Sequence, residues 1–326
     1  MIITRTPFRV SFCGGGSDIP AFYQRHGGCV ISTGINQYMY VSIHPYFDKN
    51  TTVLKYSKTE AVNDIDKIDH KYFRRVLKEF NLNGIEITST ADIPSGTGLG
   101  SSSTFSVGLL NSLYSYLGKH VSKERLALEA CELEIEKLQQ PIGKQDQYAA
   151  AYGGLNFYTF NKNGSVFVDP IIMKSESISQ LKSNLMMFYT GDIRSASDIL
   201  KEQSKNITSG DKEAGQLKIC SMTYELKNQL ENNNVDALGE ILHESWIIKK
   251  SLASGITNPA IDEIYDIAIK AGAIGGKLLG AGGGGFLLFY VPSQKQQAVR
   301  DALSSLKELP FGFDWQGSKV IYYEEY

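Results

Sequence analysis

Three glycines recur at every second position, Gly96, Gly98 and Gly100, and three serines, Ser101, Ser102 and Ser103, follow before an apolar helical pattern begins. Alternating glycines let backbone N–H groups converge, and a helix starting at such a loop adds the partial positive charge of its N-terminus. The hydroxyls add ligands for a phosphate or a metal ion. A nucleotide phosphate suits this arrangement. Two common forms of phosphate loop do not apply. The string GxxxxGK[ST] is missing. The helix after the loop is followed by a second helix, where a dinucleotide-binding unit requires a strand. A tight strand-to-helix turn without a ligand is the plain alternative.

Two further glycine stretches, "FCGGGSD" (12–18) and "GAGGGGF" (280–286), change the balance. Glycine inside regular structure costs roughly 0.5–1 kcal/mol relative to alanine. Close approach of backbone to a ligand accounts for all three stretches. Gly15, Gly16, Ser17 and Asp18 in one, and Gly283 and Gly284 in the other, are therefore candidate ligand contacts.

The carboxylates supply the remaining chemistry. At 100° per residue a helix over 122–138 gathers Leu126, Ala127, Ala130, Cys131, Leu133 and Leu138 on one face. Glu129, Glu132 and Glu136 fall opposite and are expected in solvent. Glu134 lands near the centre of the apolar face. A carboxylate there must meet a cation or be neutralised, and either a magnesium ion or an Arg or Lys would serve. Asp146 falls in the first turn of a short helix, a place that favours the ionised form.

The elements that carry these residues read as follows. "MIITRTPFRVSFC" is extended and ends in a glycine turn, "CVISTGINQYMYVSIHPYF" is one or two strands, and "GIEITSTADI" is a strand entering the first loop. Residues 71–80 form a short helix. The helix after the loop runs from about Ser103 to Leu117, with Val107, Leu110, Leu113 and Leu117 on one stripe. Ser122 caps the next helix. A hairpin turns at Asn163–Gly164. "NLMMFYTG" is a strand, helices continue through Lys270 with a break near "SGITNP", and a strand, a helix and a final strand close the chain. The whole is α+β in two halves.

The chain has 326 residues, 42% hydrophobic and 21% charged, with a net charge of −2. That excludes a global basic field for nucleic acid or a membrane surface. Four cysteines without a CxxC pair argue against structural zinc and a disulfide framework. No signal-peptide pattern opens the sequence, and "FLLFYV" is too short to span a bilayer, so a cytoplasmic protein is expected.

Three motifs carry a resemblance. "PSGTGLGSSST" resembles the PxxxGLGSS[AS] phosphate loop of the GHMP kinases, "TPFRVSFCGGGSD" resembles their first motif, and "KLLGAGGGGFLLFY" their third. They follow the family's order and span the chain. The resemblance implies a two-domain architecture, with a domain like ribosomal protein S5 domain 2 over 1–175 and a ferredoxin-like domain over 176–326. It implies ATP and Mg2+. Carried onto this sequence, Pro94, Gly96, Thr97, Gly98, Leu99, Gly100, Ser101, Ser102 and Ser103 would hold the nucleotide phosphates, and Ser102 and Glu134 the metal. Asp146 would act as general base or electrostatic orienter of the acceptor hydroxyl, and Arg9 would support it. Mevalonate kinases have one residue fewer between the loop glycine and this Asp.

Where mevalonate kinases and galactokinases carry Gly-Glu-His, this chain has "CGGGSD". That form resembles a branch acting on sugars at the anomeric carbon, and several strings resemble its heptose 7-phosphate kinases most. It implies transfer to O1 of D-glycero-D-manno-heptose 7-phosphate, with Asp18 on sugar hydroxyls. A sugar phosphate needs cations. Arg194, Lys144 and Lys277 lie in or beside the motifs, and Arg194 is expected to grip the 7-phosphate bidentately. Expected partners are ATP and a small sugar phosphate, with no nucleic acid and no membrane, and a homodimer is left open. The alternatives are a free-sugar 1-kinase of the fucokinase kind, a non-catalytic binding protein and a NAD-dependent oxidoreductase. Retention of Ser102, Glu134 and Asp146 together argues against the second, and the helix order after Gly100 against the third. The adenine pocket falls between positions 36 and 90, where nothing local singles out a residue.

Overall fold

The computed structural model describes residues 1–191, 196–207 and 210–324. In chain order the first part contains β1 (Ile2–Cys13), α1 (Pro20–His26), β2 (Gly28–Pro45), β3 (Thr52–Lys55), β4 (Thr59–Val62), α2 (Lys71–Phe80), β5 (Ile85–Ala91), α3 (Ser101–Tyr116), α4 (Lys123–Cys131), α5 (Gln145–Tyr152), β6 (Leu155–Phe160) and β7 (Val166–Pro170). The second contains α6 (Ser175–Ser183), β8 (Leu185–Tyr189), α7 (Ala196–Asn206), α8 (Gly210–Glu231), α9 (Ala237–Lys250), α10 (Pro259–Ala271), β9 (Gly275–Leu278), β10 (Phe286–Tyr290), α11 (Gln296–Ala302), β11 (Lys307–Glu308), β12 (Phe313–Asp314) and β13 (Lys319–Tyr323).

The 18-residue β2 organises the first sheet. Its early half pairs with β6 and its later half with β5, while β1 runs antiparallel along both. Among the described residues, only the β3–β5 pairing is parallel. One apolar face of this sheet covers α2, α3, α4 and α5. The second sheet has the order β11-β8-β10-β9. All its pairs are antiparallel, which is the ferredoxin-like order expected. Its core continues into Phe8, Val10 and Phe12 of β1, so the two sheets share an apolar seam.

The division at 175 and 176 meets a departure. β12 pairs with β2 and β13 with β1, so the end of the chain returns to the first sheet. Of the second half, only the stretch through β11 builds the second sheet. The β3–β4 hairpin had no legible signal, because "TVLK" and "TEAV" are too short and polar to show alternation.

Helix α3 is buried all round from Ser103 to Tyr114, a wider burial than its Val107–Leu117 stripe suggests. Thr4 and Thr6 of β1 meet it: the Thr4 hydroxyl donates to the Gly108 carbonyl at 3.1 Å. Ser122 does cap α4, accepting from the Arg125 N–H. The helix expected to run to 138 changes pitch, with Glu132–Lys137 forming a π-helical turn. Such turns occur often at functional sites, because the extra residue re-aims the side chains around it.

Candidate functional site

Gly98 and Gly100 adopt φ values of +85° and +80°, backbone that favours glycine. A Cβ on Gly98 would overlap the Leu279 carbonyl, so the 96–100 loop and the 280–286 stretch lie backbone to backbone. Between them and the strands opens a cleft of about 850 Å3. Pro94, Gly96, Gly98, Gly100, Ser101, Ser102 and Ser103 line it, and Gly284 closes the far side. Thr97 and Leu99 are buried beneath the loop. Thr97 donates to the Pro94 carbonyl and the Leu99 carbonyl accepts the Arg9 N–H. Gly283 sits behind the wall, its N–H on the Ile256 carbonyl.

Glu134 is fully buried. Its carboxylate accepts from Ser102 Oγ at 2.7 Å, Gln147 Nε2 at 2.7 Å and Tyr72 Oη at 3.2 Å. Among the described residues none of these partners is a cation, so the expected alternative of an Arg or Lys pair is not what the fold builds. Burial raises the Glu134 pKa most, hydrogen bonds from Ser103, Ser102 and Gln147 oppose it, and the nearby Asp146 charge adds to it. Of its helical neighbours, Glu136 is exposed as expected, whereas Glu129 and Glu132 are partly buried, and Glu129 takes the Tyr114 hydroxyl at 2.7 Å.

Asp146 occupies the first turn of α5, as its sequence position suggests. The pairing of β1 with β2 slips between Pro7, which has no N–H to give, and Arg9. Such a bulge redirects the side chain beside it. Arg9 Nε lies 2.8 Å from Asp146 Oδ1 and Nη2 lies 2.8 Å from Oδ2, while Nη1 donates to the Gly98 carbonyl at 2.6 Å. The plain expectation for Arg9, an ion pair, is met, and the pair stands in the cleft at the phosphate loop.

Beyond this pair lies a small, deep pocket of about 80 Å3. Gly15, Gly16 and Asp18 of the first glycine stretch line it. Asp18 is buried and accepts from the N–H groups of Gly16 at 3.0 Å and Gln145 at 3.1 Å. Burial raises its pKa, the Asp146 charge adds to that, and those N–H donors oppose it. Ser17, by contrast, is spent on structure: its hydroxyl donates to the Cys29 carbonyl and accepts the Cys29 N–H, both at 2.9 Å. The fold also turns Lys144 away. Its ammonium donates to the Gly164 carbonyl at 2.7 Å and sits 5.2 Å over the Tyr23 ring, because β6 and β7 bring their hairpin turn to it. Arg194 lies outside the described residues.

Lys277 does reach the pocket, and Lys249 joins it. Lys249 lies in none of the three motifs. Its only signal is that it continues the buried spacing of Leu238, Leu242, Ser245 and Trp246 along α9, a stripe that reads as core. Lys277 donates to the Phe12 carbonyl at 3.0 Å and Lys249 to the Gly280 carbonyl at 2.7 Å. Burial lowers both pKa values, to about 8 for Lys277 and well down for Lys249, where Lys277 and Arg9 push in the same direction. Gln203, Gln216 and Ser11 were also missed. They are buried, and Gln203 and Ser11 face the pocket.

Among the described residues no helix is long and apolar enough to cross a membrane.

The GHMP kinases N terminal domain matches residues 69–154, and the GHMP kinases C terminal domain matches residues 226–308. A D-glycero-alpha-D-manno-heptose 7-phosphate kinase of Campylobacter jejuni is 32% identical over 92% of each chain. A crystal structure of a D-glycero-D-manno-heptose 1-phosphate kinase from Bacteroides thetaiotaomicron superposes over the whole of both chains with a TM-score of 0.81 at 26% identity. A putative sugar kinase from Campylobacter jejuni gives 0.78 at 29% identity, over 98% of this chain and 97% of that one. Both family domains in order, and a relative alike along nearly its full length, establish that the chain belongs to the GHMP kinase family, as a sugar kinase that takes its phosphoryl group from ATP.

Proposed function

We propose that this kinase transfers the γ-phosphoryl group of ATP to the anomeric O1 of D-glycero-D-manno-heptose 7-phosphate. The product is the 1,7-bisphosphate, a precursor of nucleotide-activated heptose for surface polysaccharide. One observation carries the reading. The Arg9–Asp146 pair lies where the glycine-lined cleft meets the deep polar pocket, so a donor phosphate and an acceptor hydroxyl can approach the same carboxylate from two sides. The likeness to the Campylobacter heptose 7-phosphate kinase supports the choice of sugar.

The donor lies along the cleft with its phosphates on the N–H groups of the loop and the start of α3. Its base enters the wall of Met39, Tyr56, His70, Tyr72 and Phe105. Burial lowers the His70 pKa, so His70 meets the base as a neutral ring. Ser102 and Glu134 would hold Mg2+. They fit it, for a fully buried carboxylate beside a hydroxyl meets no other cation among the described residues, and Mg2+ takes few protein ligands when phosphates and water complete its shell. When bound, the ion neutralises charge on the transferring phosphates.

Asp146 accepts a hydrogen bond from the acceptor hydroxyl and takes up its proton as the O–P bond forms. ADP leaves with the electrons of the broken bond. Arg9 holds the carboxylate in one orientation through two parallel hydrogen bonds, which positioning chemistry of this kind requires. Asp18, fixed by two backbone N–H groups, faces the sugar hydroxyls.

The test is ADP release with ATP and Mg2+, comparing the heptose 7-phosphate with free heptose, mannose and fucose. Phosphorus NMR on the product identifies the new ester. Turnover of the 7-phosphate with a new anomeric phosphate supports the proposal. Turnover only of a free sugar overturns the substrate and retains the kinase.

A further inference from the structure

We infer that Lys249 and Lys277 form the subsite that binds the phosphate the sugar already carries. This rests on the proposed sugar phosphate substrate. Both lysines are at least nine-tenths buried, with 8% and 5% of their surface exposed. A buried ammonium is stable when a carboxylate or another anion meets it. Neither lysine has a carboxylate within ion-pair distance among the described residues, and each makes one hydrogen bond, to a backbone carbonyl. The donors left over converge on one pocket. Ser11 Oγ and Gln203 Nε2, also buried, have no hydrogen-bond partner among the described residues.

The carboxylates on the opposite wall already have hydrogen-bond partners, although the Asp18 charge also acts on Lys249. Asp146 is neutralised by Arg9, and Asp18 accepts two backbone N–H groups and the Gln145 side chain. A pocket with two lysine side chains that no carboxylate contacts and two idle donors matches a phosphate.

That phosphate could belong to the sugar or to ATP. The lining separates the two. The 850 Å3 cleft that holds the phosphate loop is bordered by neither lysine, whereas both line the deep pocket with Gly15, Gly16 and Asp18. The lysines therefore stand on the acceptor side of the Arg9–Asp146 pair. This assignment gives the substrate phosphate a seat built from α9 and β9.

The test uses Lys249→Met and Lys277→Met, near-isosteric changes that remove the charge, with Lys249→Arg as a charge-retaining control. The KM for the sugar phosphate should rise roughly 10- to 100-fold, the worth of a charge-assisted hydrogen bond, while the KM for ATP holds. The preference for phosphorylated over free sugar should collapse, and Lys249→Arg should recover part of it. A raised KM for ATP with an unchanged sugar preference would place the lysines on the donor and overturn the assignment. A second measurement is independent of turnover. With ADP and Mg2+ filling the phosphate loop, inorganic phosphate should raise the melting temperature of the native chain and leave both Met variants unmoved. Equal stabilisation of all three overturns the subsite. If phosphate stabilises only the native chain and no sugar phosphate is turned over, the substrate reading fails and the anion site stands.

Discussion

Arg9 grips Asp146 side-on, Nε to Oδ1 and Nη2 to Oδ2, both at 2.8 Å, across 137 residues of sequence. Arg9 is almost wholly buried and Asp146 about three-quarters so. The guanidinium also holds the Gly98 carbonyl, so one side chain ties the phosphate loop to the carboxylate expected to meet the acceptor.

Replacing Asp146 with Asn removes the proposed proton acceptor and leaves a buried guanidinium without its counter-charge. The kcat should fall about 10²- to 10⁴-fold while the KM for ATP changes little. Stability should drop by about 1–3 kcal/mol, the cost of stranding a charged donor. Steady-state kinetics and urea unfolding read the two effects separately, and an unchanged kcat would remove Asp146 from the chemistry.

Arg9→Lys keeps the charge and loses the fork. A point charge cannot make two parallel bonds to Asp146 and reach the Gly98 carbonyl as well. The kcat should decrease roughly 10-fold or more. A variant as fast as the native enzyme would show that charge alone suffices.

Glu134→Gln tests a buried acid through pH. Burial raises the Glu134 pKa in the fold above its unfolded value. The folded state then binds more protons across the window from the ordinary carboxylate value upward, and stability falls as pH rises through it. Without metal, the Gln variant should lack this fall, matching the native chain at acid pH and exceeding it at neutral pH. It should also require more Mg2+ for turnover. Parallel stability curves for the two proteins would contradict a raised pKa.

Lys277→Met tests the opposite sign. The folded pKa of Lys277, about 8, lies below the ordinary 10.5, so the unfolded chain holds the extra proton between these values. Stability of the native chain should therefore rise relative to the variant as pH climbs from about 8 towards 10.5. Chemical unfolding at several pH values measures the difference.

Gly98→Ala should destabilise by at least about 1–2 kcal/mol, since φ is +85° and the new methyl would strike the Leu279 carbonyl. The KM for ATP should rise with it. A neutral substitution would mean that the two glycine stretches do not need their close contact.

Much of this site could be read along the chain, because its parts obey local rules. Positive φ strongly favours glycine, so the loops at 96–100 and 280–284 announce themselves. Amphipathic spacing marks Glu134 as buried whatever it meets. The strand of β1, the hairpin at Gly164 and the cap at Ser122 are likewise decided by neighbours a few residues away.

Packing between distant segments decided the rest. Lys144 sits beside the motif of Asp146, yet the hairpin of β6 and β7 offers its Gly164 carbonyl and turns the ammonium aside. Lys249 sits on a helix stripe that reads as apolar core, and only the approach of α9 to β1 and β9 makes it a pocket residue. The return of β12 and β13 to the first sheet follows the same logic, for the free edge of β1 and the gap on β2 between its β6 and β5 pairings create partners that no local pattern specifies. The sequence by itself determined the family, the loops and the carboxylates, since backbone geometry and burial periodicity are local. The tertiary structure alone decided which lysines line the deep pocket, because a flexible lysine takes whichever acceptor the packed neighbours present.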